Sequence, residues 1–370
     1  MDLSLFFLGT GGATPSAQRG LPATLIRRGG EQLLVDCGEG TQRQLVRSVG
    51  LSDLDCVLIT HFHADHWLGL PGMLKSFALR EREKPLSIYG PPGLSELMRA
   101  ISFVYGKLPY PLEIEELEPA HALRRDGYAI VAVPVRHRIA IAYGYVLIED
   151  QRPGHLDAAE AERLGVRPGP DFGRLQRGET VAGVRPEQVM GPPRDGRKVV
   201  LTGDTAPCEA VRIAADGADV LVHEATFAKA DEKRAQQTLH STAEQAAAIA
   251  SAAHVKLLVI THVSGRYAGG QLRDEARAVF AATEAPRDFD AIVVPFPERG
   301  GPHLIRWRAN AAGAPPTGGP TNAGRGRSAV EGSVRRDQDA EREAGGHLPA
   351  GLSTHAQNAS AWDGDAVSCA

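Results

Sequence analysis

Strand-length apolar runs recur through the first 308 residues, and six of them end at or just before a residue that can bind a metal or transfer a proton. Helical stretches lie between several of these runs, which predicts a layered α/β domain. The C-terminal ends of strands gather at one edge of a sheet, where α/β proteins place their sites. We therefore expect one site assembled from most of the domain. The six strand-end residues are Asp36, His61, His137, Asp204, Glu224 and His262.

The patterning of the runs predicts how the domain is layered. Some runs are apolar throughout and others alternate with polar residues, which suits two packed β-sheets covered by helices. The strand candidates are "LSLFFLGT", "EQLLVD", "LDCVLIT", "PLSIYG", "YAIVAVPV", "AYGYVLIE", "RKVVLTG", "ADVLVHE", "VKLLVIT" and "DAIVVPF". The helix candidates are 41–49, 68–79, 94–104, 207–215, 242–254 and 271–282.

Charge and cysteine usage exclude several classes of protein. The net charge of −4 excludes a globally basic nucleic-acid binder, so contact with a polyanion requires a local patch or a metal. Four cysteines without C-x-x-C spacing favour a reducing compartment. The first apolar run has no basic region before it, and no run reaches membrane-spanning length. We expect a soluble cytoplasmic protein with no membrane partner.

The composition changes near residue 309. Residues 309–370 have almost no large apolar side chains and are rich in Gly, Pro, Ala and charged residues. Such a segment cannot offset its ordering entropy by burial. We predict one domain over 1–308 and a disordered tail over 309–370. The arginines of the tail alternate with acidic residues, which disfavours an RNA-binding role for it.

The strongest local signal is the segment "THFHADHWLG" at 60–69. His61 and His63 are two residues apart, so on an extended chain their side chains point the same way. Asp65 and His66 follow at the predicted turn into a helix, which brings four ligand-type side chains around a small volume. Imidazole and carboxylate together suit zinc or a similar divalent ion. A polar loop with incidental histidines is the alternative, and a binuclear metal site is the better hypothesis.

This segment resembles the HxHxDH signature of the metallo-β-lactamase superfamily, whose fold is an αββα sandwich of two mixed β-sheets flanked by helices. The superfamily hydrolyses amides, thioesters and phosphodiesters, so membership alone leaves the substrate open. A finer resemblance, over about residues 2–308, is to the ribonuclease Z family, which removes the 3′ trailer from precursor tRNA. The matching segments are "FLGTGGATPS", "LLVDCGEGTQRQL", "THFHADHWLGLPG", "YGPPG", "LTGDT", "VHEATF", "HSTAEQAA" and "THVSGRY".

A further segment, "LGVRPGPDFGRLQRGE", resembles the protruding tRNA-binding arm of that family. We place this arm at about 151–180. It distinguishes the ribonuclease Z family from its phosphodiesterase and sulfatase relatives. Its arginines are matched by acidic residues, so charge alone does not make it a basic patch. Recognition would rest on shape and on backbone contacts at its glycines, and a flexible surface hairpin is the alternative.

The resemblance implies two Zn²⁺ ions per chain, with Mn²⁺ or another divalent ion as the alternative. Two divalent cations about 3.5–4 Å apart suit phosphodiester hydrolysis, because they supply a nucleophile and stabilise developing charge. The implied ligands are His61, His63 and His137 for one ion, Asp65, His66 and His262 for the other, and Asp204 as the bridge between them.

The same resemblance implies an acid and a base. Asp65 would accept the proton of the nucleophile, and His240 would protonate the departing O3′, which leaves a 3′-hydroxyl on the tRNA. Glu224 would orient and charge His240, because a carboxylate partner raises the pKa of an imidazole. Asp36 matches the first acidic motif of the family, and we expect it to support the metal-site loops by hydrogen bonds, with direct metal coordination as the alternative.

The remaining histidines have no partner spacing. We expect His121, His155, His254 and His303 to lie at the surface or at helix ends. His223 precedes Glu224 on a predicted strand and so points to the opposite face, where a satisfied core histidine is expected.

Two other functions are compatible with parts of this pattern. One is a phosphodiesterase or sulfatase of the same superfamily that acts on a small substrate. The other is a non-catalytic RNA-binding module, which would be free to lose ligands that are all present here. The arm and the pair formed by Glu224 and His240 favour the nuclease. The family resemblance implies precursor tRNA as the partner and a homodimer as the assembly.

Overall fold

The computed structural model describes residues 1–51 and 53–308, and the tail predicted over 309–370 lies outside the described residues. Its strands are β1 (Leu3–Gly9), β2 (Gly11–Gly12), β3 (Ala23–Arg28), β4 (Glu31–Val35), β5 (Cys56–Leu58), β6 (Leu86–Gly90), β7 (Leu112–Glu116), β8 (Ala122–Arg125), β9 (Tyr128–Pro134), β10 (Tyr143–Glu149), β11 (Lys198–Leu201), β12 (Val220–Glu224), β13 (Leu257–Thr261), β14 (Val263–Ser264), β15 (Thr283–Glu284), β16 (Ala291–Val293) and β17 (His303–Ile305).

Its α-helices connect these strands. They are α1 (Thr41–Arg47), α2 (Ala64–Trp67), α3 (Leu70–Leu79), α4 (Leu94–Ala100), α5 (Ser102–Tyr105), α6 (Ala158–Arg163), α7 (Pro170–Gln176), α8 (Glu209–Ala215), α9 (Glu232–Thr238), α10 (Ala243–Ala252) and α11 (Gly269–Arg277). Short 3₁₀ helices cover Pro186–Gln188, Lys229–Asp231 and Pro297–Arg299. No helix in the described part of the chain is both long enough and apolar enough to cross a membrane.

Two β-sheets pack face to face. The first has the strand order β17-β16-β1-β3-β4-β5-β6-β7, and the second has the order β15-β13-β12-β11-β10-β9-β8. Each mixes parallel and antiparallel pairs. The core between them combines Leu5, Phe7 and Leu33 of the first sheet with Tyr145 and Val199 of the second. These contacts confirm the predicted pair of sheets.

Helices cover the outer face of each sheet, which completes four layers. On the first sheet, Leu45 of α1 and Phe77 of α3 pack on the apolar residues of the strands. On the second sheet, Ala246 and Ala250 of α10 are fully buried against β12 and β13. A buried face made of alanines lets this helix approach the sheet closely. The predicted αββα sandwich is therefore confirmed.

Strand directions bring the predicted site residues to one edge. β11, β12 and β13 are parallel. β9 and β11 are both antiparallel to β10, so β9 runs in the same direction as these three strands. In the first sheet, β4 and β5 are parallel and end beside each other. The C-terminal ends of six strands in two sheets therefore meet at one edge of the sandwich.

The predicted arm at 151–180 overlaps a longer excursion of the chain, which we call the arm excursion and define as residues 152–194. Its ends pair through bridges between Arg152 and Arg194 and between Leu156 and Met190. It contains helices α6 and α7. It also has a small core of its own, formed by Ala161, Val166, Leu175, Val181, Val184 and Val189. The segment is therefore an ordered unit with a narrow base.

A buried ion cluster joins the two sheets at the edge away from the predicted site. Glu149 at the end of β10 accepts hydrogen bonds from Arg28 Nε at 2.9 Å and from Arg197 Nε at 2.7 Å and Nη2 at 2.8 Å. Arg197 Nη1 also donates to the carbonyl of Val294 at 2.8 Å. Burial raises the pKa of Glu149, but the two guanidinium groups outweigh it and hold that pKa below its usual value. Glu149 is therefore ionised in the folded protein at neutral pH.

We predict that Glu149→Ala lowers the free energy of unfolding by about 3–5 kcal/mol, because it leaves two buried guanidinium groups without their carboxylate. The folded pKa of Glu149 lies below the unfolded value of about 4.3. The stabilisation is therefore fully present above that value and is lost as the pH falls through the folded pKa. Urea unfolding at a series of pH values measures both effects.

The exposed Glu118 provides the control, since Glu118→Ala should change stability by no more than about 0.5 kcal/mol. Equal stability of the Glu149 and Glu118 variants at pH 7 would contradict the proposed importance of the cluster.

Candidate metal centre

The first group of candidate ligands, called the first ligand group below, consists of three histidines from both sheets. His61 and His63 follow β5, and His137 follows β9. The Nδ1 of His63 lies 3.0 Å from Nε2 of His61 and 3.0 Å from Nε2 of His137. Tetrahedral zinc with Zn–N distances of about 2.0–2.1 Å places neighbouring nitrogens about 3.3 Å apart. The three nitrogens are thus spaced as ligands of one ion.

A second group lies beside the first. Asp65 and His66 lie on α2, and His262 follows β13. The Oδ2 of Asp65 lies 3.7 Å from Nε2 of His66 and 3.4 Å from Nε2 of His262. One carboxylate oxygen and two imidazole nitrogens therefore face a common point.

Asp204, which follows β11, faces both groups. Its Oδ2 lies 3.4 Å from Nε2 of His66 and 3.3 Å from Nε2 of His262. The same oxygen lies 3.8 Å from Nε2 of His61 and of His137. This is the position expected of a carboxylate shared between two ions.

The donor atoms fit divalent metal ions. Among the described residues, the buried Nε2 of His66 and the buried Oδ1 of Asp204 have no hydrogen-bond partner. Leaving such atoms unpaired costs about 1–3 kcal/mol each, and coordination would remove that cost. Imidazole nitrogens and carboxylate oxygens are the ligands that zinc and similar ions prefer. The site can therefore hold divalent metal.

Burial sets the charge of the first group. It lowers the pKa of His61 well below the ordinary value, and the neighbouring charge of His66 lowers it further. Burial likewise lowers the pKa of His63 and of His137. All three imidazoles are neutral at pH 7, and the neutral form has the lone pair that binds a metal.

In the second group, neighbouring opposite charges determine the pKa values of the carboxylate and imidazole side chains. Burial raises the pKa of Asp204, but His262 and His66 outweigh it and hold that pKa well below its usual range. Burial also lowers the pKa of His66, but the charges of Asp204 and Asp36 raise it well above its usual value. Asp204 is therefore an anion at neutral pH, as a bridging ligand must be.

Asp36 holds the metal-site loops in place. Its Oδ2 accepts a hydrogen bond from Nδ1 of His66 at 2.7 Å, and its Oδ1 accepts from the backbone N–H of Thr60 at 2.9 Å. Asp36 has a left-handed backbone with φ of 60°, which is uncommon for a residue other than glycine. The hydrogen bond from Nδ1 of His66 to Asp36 fixes the imidazole ring, so that Nε2 of His66 faces Asp204. These contacts confirm the supporting role predicted for Asp36.

Two further candidate ligands are oriented in the same way. His137 donates from Nδ1 to the carbonyl of Leu239 at 3.0 Å, and Nδ1 of His262 lies 2.8 Å from the hydroxyl of Thr226. In each ring the other nitrogen points into the cluster. His262 also requires a glycine opposite it, because a Cβ on Gly12 would clash with its imidazole ring.

His240 lies beside the cluster and is paired with a buried carboxylate. Its Nδ1 donates to Oε1 of Glu224 at 2.7 Å. Glu224 also accepts from the backbone N–H of Thr205 at 3.0 Å and of Thr226 at 3.0 Å, and from the Thr226 hydroxyl at 2.7 Å. The carboxylate is therefore fixed, and it fixes the ring of His240 in turn. His240 lies close to Asp204 and His262 as well, but its Nδ1 is occupied by Glu224.

Charge explains the protonation of this pair. Burial lowers the pKa of His240, but the charge and the hydrogen bond of Glu224 outweigh it and raise that pKa to about 9. Burial raises the pKa of Glu224, and His240 outweighs it, so that the pKa of Glu224 lies below its usual value. Carboxylate and imidazolium therefore coexist at neutral pH, and His240 has a proton to donate.

The structure brings together all the site residues predicted from the sequence. His137, on the segment after β9, reaches the cluster, with its Nε2 at 3.0 Å from Nδ1 of His63. His121, His155, His254 and His303 are exposed, as predicted.

His223 is buried, as predicted, and its Nδ1 lies 2.7 Å from the carbonyl of Glu224. It is therefore a core histidine that is hydrogen-bonded at Nδ1, while its Nε2 has no partner among the described residues. Sequence reasoning did not single out Thr226, although it stands in the quoted "VHEATF" segment and contacts Glu224 and His262.

Comparison with known proteins agrees with this geometry. The family model described as a beta-lactamase superfamily domain matches residues 31–263. The fold, the candidate metal site and this match thus place the chain in the beta-lactamase superfamily. Ribonuclease Z of Halorubrum lacusprofundi is 44% identical over 308 residues, which cover 80% of this chain and 99% of that protein. Ribonuclease Z of Myxococcus xanthus is 46% identical over 271 residues, which cover 72% and 88%. The chain belongs to the ribonuclease Z family.

Solved structures agree with the assignment of the fold. The short form of human tRNase Z superposes with a TM-score of 0.58 at 27% identity and covers 80% of this chain and 99% of that one. The long form of yeast RNase Z has a TM-score of 0.56 at 18% identity and covers 80% and 42%. The second of these similarities shows the fold alone.

Proposed function

We propose that this protein is a zinc-dependent endoribonuclease that removes the 3′ trailer from precursor tRNA and leaves a 3′-hydroxyl on the tRNA. The observation that supports the reaction most directly is the pair of Glu224 and His240 at the rim of the metal-ligand cluster. His240 and the ligands His63, Asp65 and His137 line one open cleft. A scissile phosphate in this cleft would meet the ligand cluster and a proton donor together.

The role of His240 follows from its hydrogen bonds. Its Nδ1 is engaged by Glu224, so Nε2 is the nitrogen that can donate to a substrate. Cleavage of the P–O3′ bond creates an alkoxide on the ribose, which is a poor leaving group until it is protonated. His240 donates this proton, and Glu224 holds the ring and its charge in place.

Asp65 is suited to the opposite proton transfer. Its Oδ2 accepts the backbone N–H of Ala13 at 2.8 Å and faces His262. Burial raises the pKa of Asp65, but His262 and His66 outweigh it and hold that pKa far below its usual value. The ionised Asp65 can accept a hydrogen bond from the attacking water. We assign to Asp65 the orientation of this water and the acceptance of its proton, which bound metal would make more acidic.

The proposed ligands are His61, His63 and His137 for one ion, Asp65, His66 and His262 for the other, and Asp204 between them. Two Zn²⁺ ions per chain, or Mn²⁺ or another divalent ion, would lower the pKa of the attacking water and neutralise charge on the phosphoryl oxygens.

The remaining parts of the proposal concern substrate and assembly. We assign the arm excursion to the tRNA, and we infer a cytoplasmic homodimer in which the excursion of one subunit reaches tRNA at the cleft of the other. A phosphodiesterase or sulfatase acting on a small substrate would have no use for this excursion, which supports the nuclease over that alternative.

The metal assignment predicts about two ions per chain, mostly zinc, after purification without chelator. Asp204→Ala should lower the content of both ions, because Asp204 faces both ligand groups. His254→Ala, which removes an exposed histidine, is the control and should leave the content unchanged. Elemental analysis checks this expectation. A wild-type content well under one ion per chain would contradict it.

The acid assignment predicts a substrate-dependent defect. His240→Ala should slow cleavage of precursor tRNA by about 10²–10⁴, the usual effect of losing a general acid. The same variant should cleave a phosphodiester with a nitrophenolate leaving group almost normally, because that group departs without a proton. Asp65→Ala should damage both reactions and lower the metal content. The measurement is the ratio of the two rates in each variant, together with metal analysis.

Glu224→Gln is the companion variant, because it keeps the hydrogen-bonding shape and removes the charge on which His240 depends. It should show the same preference for the nitrophenolate substrate in weaker form. An equal fall in the cleavage rates of both substrates in His240→Ala would show that His240 binds phosphate or supports the structure instead of donating a proton.

The proposed homodimer predicts that two defective variants of the chain restore each other's activity when they are mixed. One chain lacks 157–189, with Leu156 joined to Met190 through two glycines, because these two residues already pair at the base of the arm excursion. The other chain has an intact excursion and the Asp204→Ala substitution. The first chain alone should lose kcat/KM for precursor tRNA much more than for the nitrophenolate diester.

Mixing the two chains should restore tRNA cleavage above the sum of the separate activities, because a mixed dimer has one intact cleft served by the excursion of the other subunit. Light scattering checks the dimer. Activities that merely add would mean that the excursion acts within its own chain.

A further inference from the structure

A second groove opens from the metal cleft. Arg138, which follows His137 directly, and Thr238, at the end of α9, line both the cleft and the groove. The groove then runs along the exposed side of α9, past Lys233 and Arg234. A chain that leaves the cleft on this side would pass over these side chains.

The groove has cations that no internal partner neutralises. Across the described residues, Arg138, Lys233 and Arg234 make no ion pair or side-chain hydrogen bond, and all three are exposed. The two acids that line the groove accept hydrogen bonds from neutral groups and so keep their negative charge. Asp231 accepts the hydroxyl of Tyr267, and Glu232 accepts Nε2 of Gln245 at 3.2 Å.

The fourth cation of the groove, Lys229, has an ion-pair partner, unlike Arg138, Lys233 and Arg234. Lys229 is paired with Glu244 at 2.7 Å. The groove lining therefore has four cations against two carboxylates, an excess of two positive charges on a chain whose net charge is −4, and Arg138 also lines the cleft. This is the local patch that a polyanion requires on such a chain.

The groove is fixed relative to the proposed proton donor. The backbone N–H of His240 donates to the carbonyl of Ala235 in α9 at 2.9 Å. Leu239 between them has a left-handed backbone with φ of 53° and its carbonyl accepts from His137. A strand held by α9 would therefore be positioned against His240 and against the first ligand group together.

We propose that Arg138, Lys233 and Arg234 bind backbone phosphates of the RNA on the 5′ side of the scissile bond, that is, the 3′-terminal nucleotides of the tRNA body. This inference rests on the proposed function. It makes the groove a positioning surface for the reaction, separate from the arm excursion.

The assignment to the 5′ side follows from the chemistry of the cleavage. The leaving O3′ belongs to the last nucleotide that stays with the tRNA, and His240 protonates it. That nucleotide must therefore lie on the His240 side of the phosphate, with the attacking water on the opposite side. Since α9 and Thr238 also lie on the His240 side, the retained strand leaves the cleft over the groove, and the trailer departs in another direction.

Salt dependence gives the proposal a measurable signature. Each phosphate neutralised on a single strand contributes about 0.7 to the slope of log affinity against log salt. Three contacts contribute about 2 to that slope. An arginine or lysine that acts only through local structure would not change the slope.

The test compares two triple variants of the full, metal-loaded chain. The first is Arg138→Gln/Lys233→Gln/Arg234→Gln. The second removes three exposed cations that line neither the cleft nor the groove, as Lys75→Gln/Arg80→Gln/Arg299→Gln. Both have the same change in net charge. Each is assayed on a 3′-extended precursor tRNA and on a nitrophenolate phosphodiester, at several salt concentrations.

In the groove variant, kcat/KM for precursor tRNA should fall at least about tenfold more than kcat/KM for the small diester, and the salt slope should shrink by about 2. The control variant should keep the wild-type ratio and slope. The proposal would be overturned if the two variants had the same ratio of kcat/KM values and the same salt slope. It would also be overturned if kcat/KM fell equally for both substrates in the groove variant.

Competing ligands test the direction of the strand. An acceptor-stem minihelix that ends at the cleavage site should inhibit the groove variant at least about tenfold less than the wild type. Weaker inhibition by a 5′-phosphorylated trailer oligonucleotide, with inhibition by the minihelix unchanged, would place the trailer in the groove and overturn the proposal. If the wild type hydrolyses the small diester and does not cut precursor tRNA, the proposed function itself has failed.

Discussion

The buried carboxylate of Asp204 is the group on which the rest of the site depends. It lies within 3.3–3.8 Å of imidazole nitrogens from both ligand groups. Removing a carboxylate from water costs several kcal/mol unless opposite charge surrounds it. Strands of both sheets must therefore end at the same edge, because the opposite charge comes from His66, after β5 of the first sheet, and from His262, after β13 of the second. Breaking the register of either sheet would leave this charge uncompensated.

Residues around the candidate ligands fix the orientation of the histidine rings by hydrogen bonds. Asp36 orients His66, the carbonyl of Leu239 orients His137, and Thr226 contacts both His262 and Glu224. Each ring is thereby left with one nitrogen facing the cluster. At the opposite edge, the cluster around Glu149 joins the sheets through buried guanidinium groups. The sandwich is thus held by ionic groups at both of its edges and by an apolar core between them.

Sequence reasoning succeeded where a pattern is local. Each of the ten predicted apolar runs contains a strand, and the C-terminal ends of six of them hold the site. Strands β3, β7 and β8 were missed because charged residues interrupt or end their apolar runs, and β2, β14, β15 and β17 were missed because they have only two or three residues. Helices α6, α7 and α9 were missed because they are short and mostly polar, and their stability depends on packing that the sequence does not display.

The sequence by itself determined the class of fold, the residue types of the candidate site and the strand ends that bear them, because periodicity and motif spacing are properties of neighbouring residues. Tertiary structure decided which residues face one another across the two sheets. Asp204 between the two ligand groups, Glu149 between Arg28 and Arg197, and Arg138 beside α9 all join residues far apart in the chain. No spacing encodes such contacts, since they arise only when strand order and helix packing bring distant segments to one edge.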